Sequence, residues 1–121
     1  MRPVQPPTLN RSDMIVAFDI DDTLLLPAVA TELDIDTPNY EVIAIYKWFQ
    51  AQGNTMWVWS GGGKDYAERW ATKLGLRPDA CFDKHFPPPD LKPDICFDDC
   101  IVNLATINVR VKRINNQRKR Q

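Results

Sequence analysis

Hydrophobic residues occur along the chain in short unbroken runs that polar segments separate. Such runs are typical of strands that are buried in a parallel sheet. A last segment, which follows Ile107, alternates apolar and polar residues and predicts an edge strand with one face toward water. The continuous runs are MIVAF (14–18), MWVW (56–59) and ACF (80–82). DICFD (94–98) is the fourth predicted strand, and the alternating segment is NVRV (108–111).

Two stretches between these runs have the period of an amphipathic helix. The first begins at Thr37-Pro38, where a capping hydroxyl precedes a proline suited to the first helical position, and ends at Gly53. The second begins at Lys64 and ends at Gly75. The positions expected to face the core are Val42, Ile45, Tyr46 and Phe49 in the first helix, and Tyr66, Ala67, Trp70, Ala71 and Leu74 in the second.

The alternation of strands and helices predicts the fold class. It favours an α/β fold with a Rossmann-like parallel sheet of about five strands and helices on both faces. A chain of 121 residues has room for one small domain, which we place at residues 13–111. Residues 1–12 are expected to form a flexible proline-rich lead, and residues 112–121 a basic tail.

Composition narrows the cellular setting. No apolar run approaches the roughly 20 residues that a membrane span needs, and the first residues lack the apolar region of a secretory signal. Three cysteines are an odd number and too few for a disulfide scaffold. We therefore expect a cytoplasmic protein with no membrane partner.

Polar residues capable of chemistry follow four of the predicted strands directly. Because ligands bind beyond the carboxyl ends of parallel strands, we expect these residues to converge at one edge of the sheet. So many carboxylates would repel one another, and a divalent cation removes that repulsion. An all-oxygen ligand set fits Mg²⁺ better than zinc. The residues are Asp19, Asp21, Asp22 and Thr23 after the first run, Ser60, Gly61 and Gly62 after the second, Asp83 and Lys84 after the third, and Asp98 and Asp99 after the fourth.

Three short segments resemble the motifs of the haloacid dehalogenase (HAD) superfamily. AFDIDDTLL (17–25) is similar to its first motif, an apolar strand followed by Asp-x-Asp-x-Thr. The strand-then-serine of MWVWS (56–60) resembles the second motif, and ICFDD (95–99) resembles the fourth. Family members that cleave carbon–halogen bonds or work as ATPases lack the second acid of the first motif. The resemblance therefore implies a phosphatase that hydrolyses a phosphate monoester.

The resemblance also implies roles for the residues that match these motifs. Asp19 would be the nucleophile that forms an aspartyl-phosphate, and Asp21 would protonate the leaving oxygen and then deprotonate the attacking water. Ser60, with the backbone N–H groups near Gly61 and Gly62, would hold the phosphoryl oxygens.

The same resemblance implies a Mg²⁺ ion as cofactor. Its ligands would be the Asp19 carboxylate, the Asp21 backbone carbonyl and Asp98, with Asp99 a further ligand or a hydrogen-bond acceptor beside them. Asp22 departs from the family pattern, which often has glycine at this position, and adds negative charge near the mouth of the site.

The family also needs a lysine that neutralises the phosphate, and Lys64, Lys84 and Lys92 are the candidates. Lys92 precedes the fourth strand and is roughly 20 Å from its far end, at about 3.3 Å per residue. Lys84 directly follows the third strand and thus lies at the carboxyl edge. The sequence favours Lys84 and leaves the other two open.

The inserts between the motifs are short. Residues 24–54 hold one loop and one helix, and residues 61–79 hold another helix, so neither is expected to fold as a cap domain. An open site suits a nucleotide, a polynucleotide end or another large phosphorylated substrate. A second copy of the chain could also cover such a site in an oligomer.

Two other functions remain as alternatives. A receiver-like phosphoacceptor module has a similar size and also uses an aspartyl-phosphate, Mg²⁺ and a lysine, although its acceptor and lysine follow other strands. A non-catalytic protein could instead bind nucleic acid through the basic tail. Up to Asp99 the chain has 9 Lys/Arg and 16 Asp/Glu, a balance of -7, and from Cys100 it has 6 Lys/Arg and no acid, a balance of +6.

Overall fold

The computed structural model describes residues 14–28 and 35–113 of the chain. The predicted lead, residues 1–12, and most of the predicted tail, residues 114–121, lie outside the described residues. The described elements, in chain order, are β1 (Ile15–Asp19), β2 (Leu25–Leu26), β3 (Thr37–Pro38), α1 (Tyr40–Ala51), β4 (Thr55–Ser60), α2 (Lys64–Lys73), β5 (Ala80–Asp83), β6 (Ile95–Asp98) and β7 (Ile107–Arg110).

Five of the strands form one parallel sheet in the order β5-β4-β1-β6-β7. The central strand β1 pairs with β4 and β6, so that Phe18 lies between Val58 and Phe97. The run of apolar residues in β1 is continuous because layers on both sides of the sheet bury its faces, with Val16 and Phe18 in one cluster and Ala17 in the other. The prediction of an α/β, Rossmann-like parallel sheet with five strands is confirmed, and β7 is an edge strand as expected.

The two described helices pack on the same face of the sheet, so the prediction of helices on both faces is wrong for the described residues. Tyr46 of α1 meets Phe18 edge to face at 5.2 Å between ring centroids. Ala67 and Ala71 of α2 belong to the same buried cluster, with Val58. The opposite face carries Trp57, Trp59 and Cys96 and is covered by Val102, Leu104 and Ala105.

The order of the strands explains this one-sided arrangement. The connections from β1 to β4 and from β4 to β5 step toward the same edge of the sheet, so right-handed crossovers place both helices on one side. The connection from β6 to β7 steps the other way and would place a helix on the opposite side. It has only eight residues, 99–106, which is fewer than the roughly dozen of a helical crossover.

The start of α1 also differs from the prediction. Thr37 and Pro38 form β3, which pairs antiparallel with β2. The Thr37 hydroxyl donates a hydrogen bond to the Ile35 carbonyl at 3.2 Å instead of capping the helix. Asn39 is the residue before the helix, and its N–H donates to the Leu24 carbonyl at 2.9 Å. Pairing with β2 therefore holds Thr37-Pro38 in a strand, although the local sequence favours a helix start.

The residues of α1 that face the core differ from the prediction at one position. Val42, Ile43 and Tyr46 are buried, whereas Ile45, predicted to face the core, is 40% exposed. Phe49 packs against the buried cluster as expected. Ile43 thus takes the place in the core that the sequence predicted for Ile45.

The helix α2 agrees with its prediction. Its small residues Ala67 and Ala71 are fully or nearly fully buried against the sheet, and Tyr66, Trp70 and Leu74 pack beside them. Gly75 follows the helix with φ 70°, a left-handed conformation that glycine adopts without strain. No helix among the described residues is long and apolar enough to cross a membrane.

Candidate active site

A cleft of about 280 Å³ lies at the carboxyl edge of the sheet. The ends of β1 and β4 and the loops that follow β5 and β6 provide its walls. Convergence at this edge, which the sequence predicts, therefore occurs in the structure. The lining residues are Asp19, Asp21, Asp22, Ser60, Gly61, Gly62, Lys84, Asp99, Cys100 and Arg113. Asp98 is fully buried directly behind them.

A tight turn after β1 directs the first group of acids into the cleft. The N–H groups of Thr23, Leu24 and Leu25 all donate to the Ile20 carbonyl, and Ile20 is fully buried. Asp22 adopts φ 63°, a left-handed conformation that aspartate tolerates better than most residues. The Thr23 hydroxyl donates to Asp19 Oδ2 at 3.2 Å and so fixes the Asp19 carboxylate.

Lys84 joins the acids of two different strands. Its ammonium donates to Asp19 Oδ1 at 3.0 Å and to Asp98 Oδ2 at 2.8 Å. Its backbone N–H donates to the Ser60 carbonyl at 2.9 Å, which fixes the end of β5 beside that of β4. Lys64 pairs instead with Glu68 on the surface of α2, and Lys92 is exposed. Of the three candidate lysines, Lys84 is the one that the structure brings to the cleft.

The loop after β4 presents its backbone to the cleft. Ser60 is buried, and its Oγ accepts a hydrogen bond from the Gly62 N–H at 2.9 Å. A Cβ at Gly62 would lie 3.2 Å from the ring of Tyr66 and 3.3 Å from Ser60 Oγ. A side chain at position 62 would therefore require the Tyr66 ring or the Ser60 hydroxyl to shift by a few tenths of an ångström, so glycine suits this close approach of the backbone.

Asp98, Asp99 and Cys100 place their potential ligand atoms within 4.8 Å of one another. Asp98 Oδ1 accepts from the Cys100 N–H at 2.9 Å, which fixes its side chain. Burial and the neighbouring Asp99 raise the pKa of the Cys100 thiol, which disfavours the thiolate form that binds metals. The remaining donors are carboxylate oxygens, and this ligand set fits a hard divalent cation such as Mg²⁺.

Electrostatics at Asp19 supports the same interpretation. Burial, followed by the charge of Asp98, raises the pKa of Asp19 from 3.8 to about 7, although Lys84 acts in the opposite direction. Burial lowers the pKa of Lys84, but its contacts with Asp19 and Asp98 outweigh this effect and raise it overall. One cation between two buried carboxylates leaves an excess of negative charge, which a bound divalent cation would neutralise.

Arg113 and Tyr66 contact acids of the cleft but were not among the predicted site residues. Arg113 belongs to the segment assigned to the basic tail, yet its Nε donates to Asp99 Oδ2 at 2.9 Å and lies 3.8 Å from Asp22 Oδ2. Tyr66 donates from its hydroxyl to Asp21 Oδ1 at 2.7 Å. The excess of acids at the predicted site was the sequence feature that could have indicated a second cation such as Arg113. Tyr66 was interpreted as a core position of its helix.

The comparisons with known proteins give no family for this chain. No family model, no curated protein and no solved structure matches it.

Removal of the Arg113 side chain should destabilise the protein. We expect Arg113→Ala to lower the metal-free unfolding free energy by about 1 kcal/mol and Tm by roughly 5 °C, because Asp22 and Asp99 lose a shared cation. Thermal unfolding in the presence of a chelator measures this change. The matched control is Lys112→Ala, since Lys112 is the exposed neighbour. Equal Tm values for the two variants would contradict the ion pair.

The raised pKa of Asp19 makes metal-free stability depend on pH. An acid whose pKa rises on folding stabilises the folded state fully below its unfolded value, and this contribution is lost as pH rises through the folded value. For Asp19 the loss falls between pH 3.8 and about 7. It is on the order of 2–4 kcal/mol.

Asp19→Asn should remove this pH dependence. We expect the variant to have a higher metal-free Tm than the wild type at pH 7.5, and the difference should shrink as pH falls toward 4. Melting curves with a chelator at several pH values measure the difference. A difference that stays constant over this range would show that the Asp19 carboxylate is not under electrostatic strain in the folded protein.

Proposed function

We propose that this protein is a Mg²⁺-dependent phosphatase of the HAD type, which hydrolyses a phosphate monoester through an aspartyl-phosphate. The observation that carries the proposal is the bridge from Lys84 to both Asp19 and Asp98, beside Ser60 in one cleft. Such an arrangement provides a nucleophile and a charge that neutralises phosphate. The Asp-x-Asp-x-Thr sequence adds a second acid, Asp21, in the same cleft.

In the first half of the reaction, a carboxylate oxygen of Asp19 attacks phosphorus and forms the acyl–phosphate bond. The bond between phosphorus and the ester oxygen breaks, and the leaving alkoxide takes a proton from the Asp21 carboxyl. In the second half, Asp21 takes a proton from a water molecule that attacks the same phosphorus. The bond between phosphorus and the Asp19 oxygen breaks, inorganic phosphate leaves, and Asp19 is again a carboxylate.

The phosphoryl group needs several donors while its charge changes. The Lys84 ammonium is one donor. It has three N–H groups and contacts two carboxylates, which leaves one N–H for a phosphoryl oxygen. The Ser60 hydroxyl and the exposed backbone at Gly61 and Gly62 add further contacts at the same end of the cleft. Donors that are fixed before the substrate arrives stabilise the transition state without reorganisation.

The carboxylates of Asp19, Asp98 and Asp99 and the backbone carbonyl of Asp21 are the groups that would hold Mg²⁺. When bound, the ion supplies positive charge that keeps Asp19 ionised at neutral pH and screens it from the phosphate. Asp98, fully buried, is the ligand that the sheet fixes most firmly. Asp99 would have to share its carboxylate between the ion and Arg113.

We propose that no cap domain covers the cleft. Between β1 and β4 the described residues form β2, β3 and α1, and between β4 and β5 they form α2 alone. These elements are too small for a separate folded cap. An open cleft supports a substrate of the size of a nucleotide, a polynucleotide end or another large phosphorylated molecule.

A phosphate-release assay tests the proposal. The substrates are 4-nitrophenyl phosphate, mononucleotides, sugar phosphates, and oligonucleotides with a 3′- or 5′-phosphate, each with Mg²⁺ and with a chelator. We expect release that depends on Mg²⁺ in the wild type and in Asp90→Asn, a control at an exposed acid outside the cleft. No release from any substrate with Mg²⁺ would contradict the proposed function.

A further inference from the structure

Tyr66 contacts the residue that we assign to proton transfer. It lies in the first turn of α2, and its hydroxyl donates to Asp21 Oδ1 at 2.7 Å. The two residues are 45 positions apart in the chain, so this bond links the turn after β1 to the helix after β4. A phenol hydroxyl at this distance is a well-formed donor to a carboxylate.

The ring of Tyr66 has little freedom to move away from Asp21. On one side lies the Gly62 backbone, where a Cβ would approach two ring atoms at 3.2 Å. The Arg69 guanidinium also lies over the ring, 5.6 Å from its centroid. The side chain is half-buried among these neighbours. The position of the hydroxyl is therefore determined by the packing of the ring.

We propose that Tyr66 is the positioning residue for Asp21 in this phosphatase, an inference that rests on the proposed function. Its hydroxyl occupies Oδ1 of Asp21, so the proton for the leaving oxygen is carried on Oδ2. A carboxyl group held in one orientation transfers this proton efficiently, whereas a rotating one spends most of its time misaligned. Because the ring also packs on Gly62, whose N–H contacts Ser60, Tyr66 aligns the acid with the phosphoryl site.

The leaving group of the substrate separates this role from a general structural one. An alkyl phosphate releases a basic alkoxide that needs the proton from Asp21, whereas 4-nitrophenyl phosphate releases a stable phenolate that does not. The ratio kcat/KM reports the steps up to phosphoryl transfer to Asp19, where the leaving group departs. A loss of alignment should therefore lower kcat/KM for the alkyl substrate far more than for the aryl substrate.

The test uses Tyr66→Phe, which removes the hydroxyl and keeps the ring. We expect kcat/KM for an alkyl phosphate to fall at least about tenfold and that for 4-nitrophenyl phosphate less than about threefold. Tyr40→Phe is the matched control, because Tyr40 is 71% exposed, and it should change neither value. A crystal structure of Tyr66→Phe is expected to have Asp21 rotated or in more than one orientation.

The outcomes separate the two proposals. Equal losses on both substrates in Tyr66→Phe, with an active wild type, would overturn the role of Tyr66 and leave the phosphatase in place. An unchanged single orientation of Asp21 in the crystal would also overturn it, whatever the activity. A wild type that releases no phosphate from any substrate would overturn the proposed function itself.

Discussion

Asp19→Asn is expected to lower phosphatase kcat by roughly 10³-fold or more. The amide keeps the shape of the side chain, but its oxygen is a far weaker nucleophile than a carboxylate. The amide oxygen can still accept a hydrogen bond from Lys84, so the neighbouring groups should remain in place. Phosphate release with saturating Mg²⁺ and 4-nitrophenyl phosphate measures the effect.

Stability provides the control for this variant. Because Asp19 is buried beside Asp98 and its pKa is raised to about 7, the amide should raise metal-free Tm at neutral pH. A loss of activity together with a higher Tm cannot come from unfolding. Asp90→Asn, at an exposed acid, should change neither quantity. Activity of Asp19→Asn within tenfold of the wild type would contradict the nucleophile assignment.

Lys84→Met is expected to lower both stability and activity. The lysine is 18% exposed and is the cation between Asp19 and Asp98. Removal of one partner from a buried ion cluster typically costs about 3 kcal/mol, which corresponds to roughly 15 °C in Tm. Thermal unfolding with a chelator measures this cost. Phosphate release should also fall, because the phosphoryl group loses a charged donor.

Two companion variants identify the cause of this destabilisation. Lys92→Met makes the same substitution at an exposed lysine and should leave metal-free Tm unchanged. The double variant Lys84→Met/Asp19→Asn should recover part of the lost stability, since only one carboxylate of the pair then remains charged. A Lys84→Met variant as stable as Lys92→Met would show that the bridge contributes nothing to the fold.

The strands of the sheet were predictable because burial on both faces leaves a simple signature. The side chains of β1 are buried on both faces of the sheet, so its sequence is an unbroken apolar run that ends at Asp19. The convergence of Asp19, Ser60, Lys84 and Asp98 follows from the parallel direction of the strands. Lys84 could also be preferred over Lys92 by distance along the chain alone.

Other features depend on contacts that no local pattern records. Thr37-Pro38 has the residues of a helix start, but pairing with β2 holds it in a strand. One face of the sheet has no described helix, because the connection between β6 and β7 is short and covers that face itself. This role can be inferred only once the strand order is known. In each case tertiary structure overrides a local preference.

Arg113 and Tyr66, which the sequence did not place at the site, illustrate the same limit. Arg113 lies in a run of basic residues that is typical of a solvated terminus, and its approach to Asp99 depends on the path of the chain after β7. Tyr66 has the spacing of a core residue and does pack against the core, while its hydroxyl reaches Asp21. Periodicity predicts the burial of a side chain and not the partner of its polar end.

The most direct test of the aspartyl-phosphate is its detection on Asp19. In Asp21→Asn, 4-nitrophenyl phosphate should still transfer its phosphoryl group, because its leaving group needs no proton, but the attack of water lacks its base. The phosphoenzyme should therefore accumulate. Acid quenching during turnover, followed by peptide mass spectrometry, should find a hydroxylamine-labile phosphate on the peptide that contains Asp19. If the wild type is active but the Asp21→Asn variant has no phosphate on this peptide, or has phosphate on another residue, the account is contradicted.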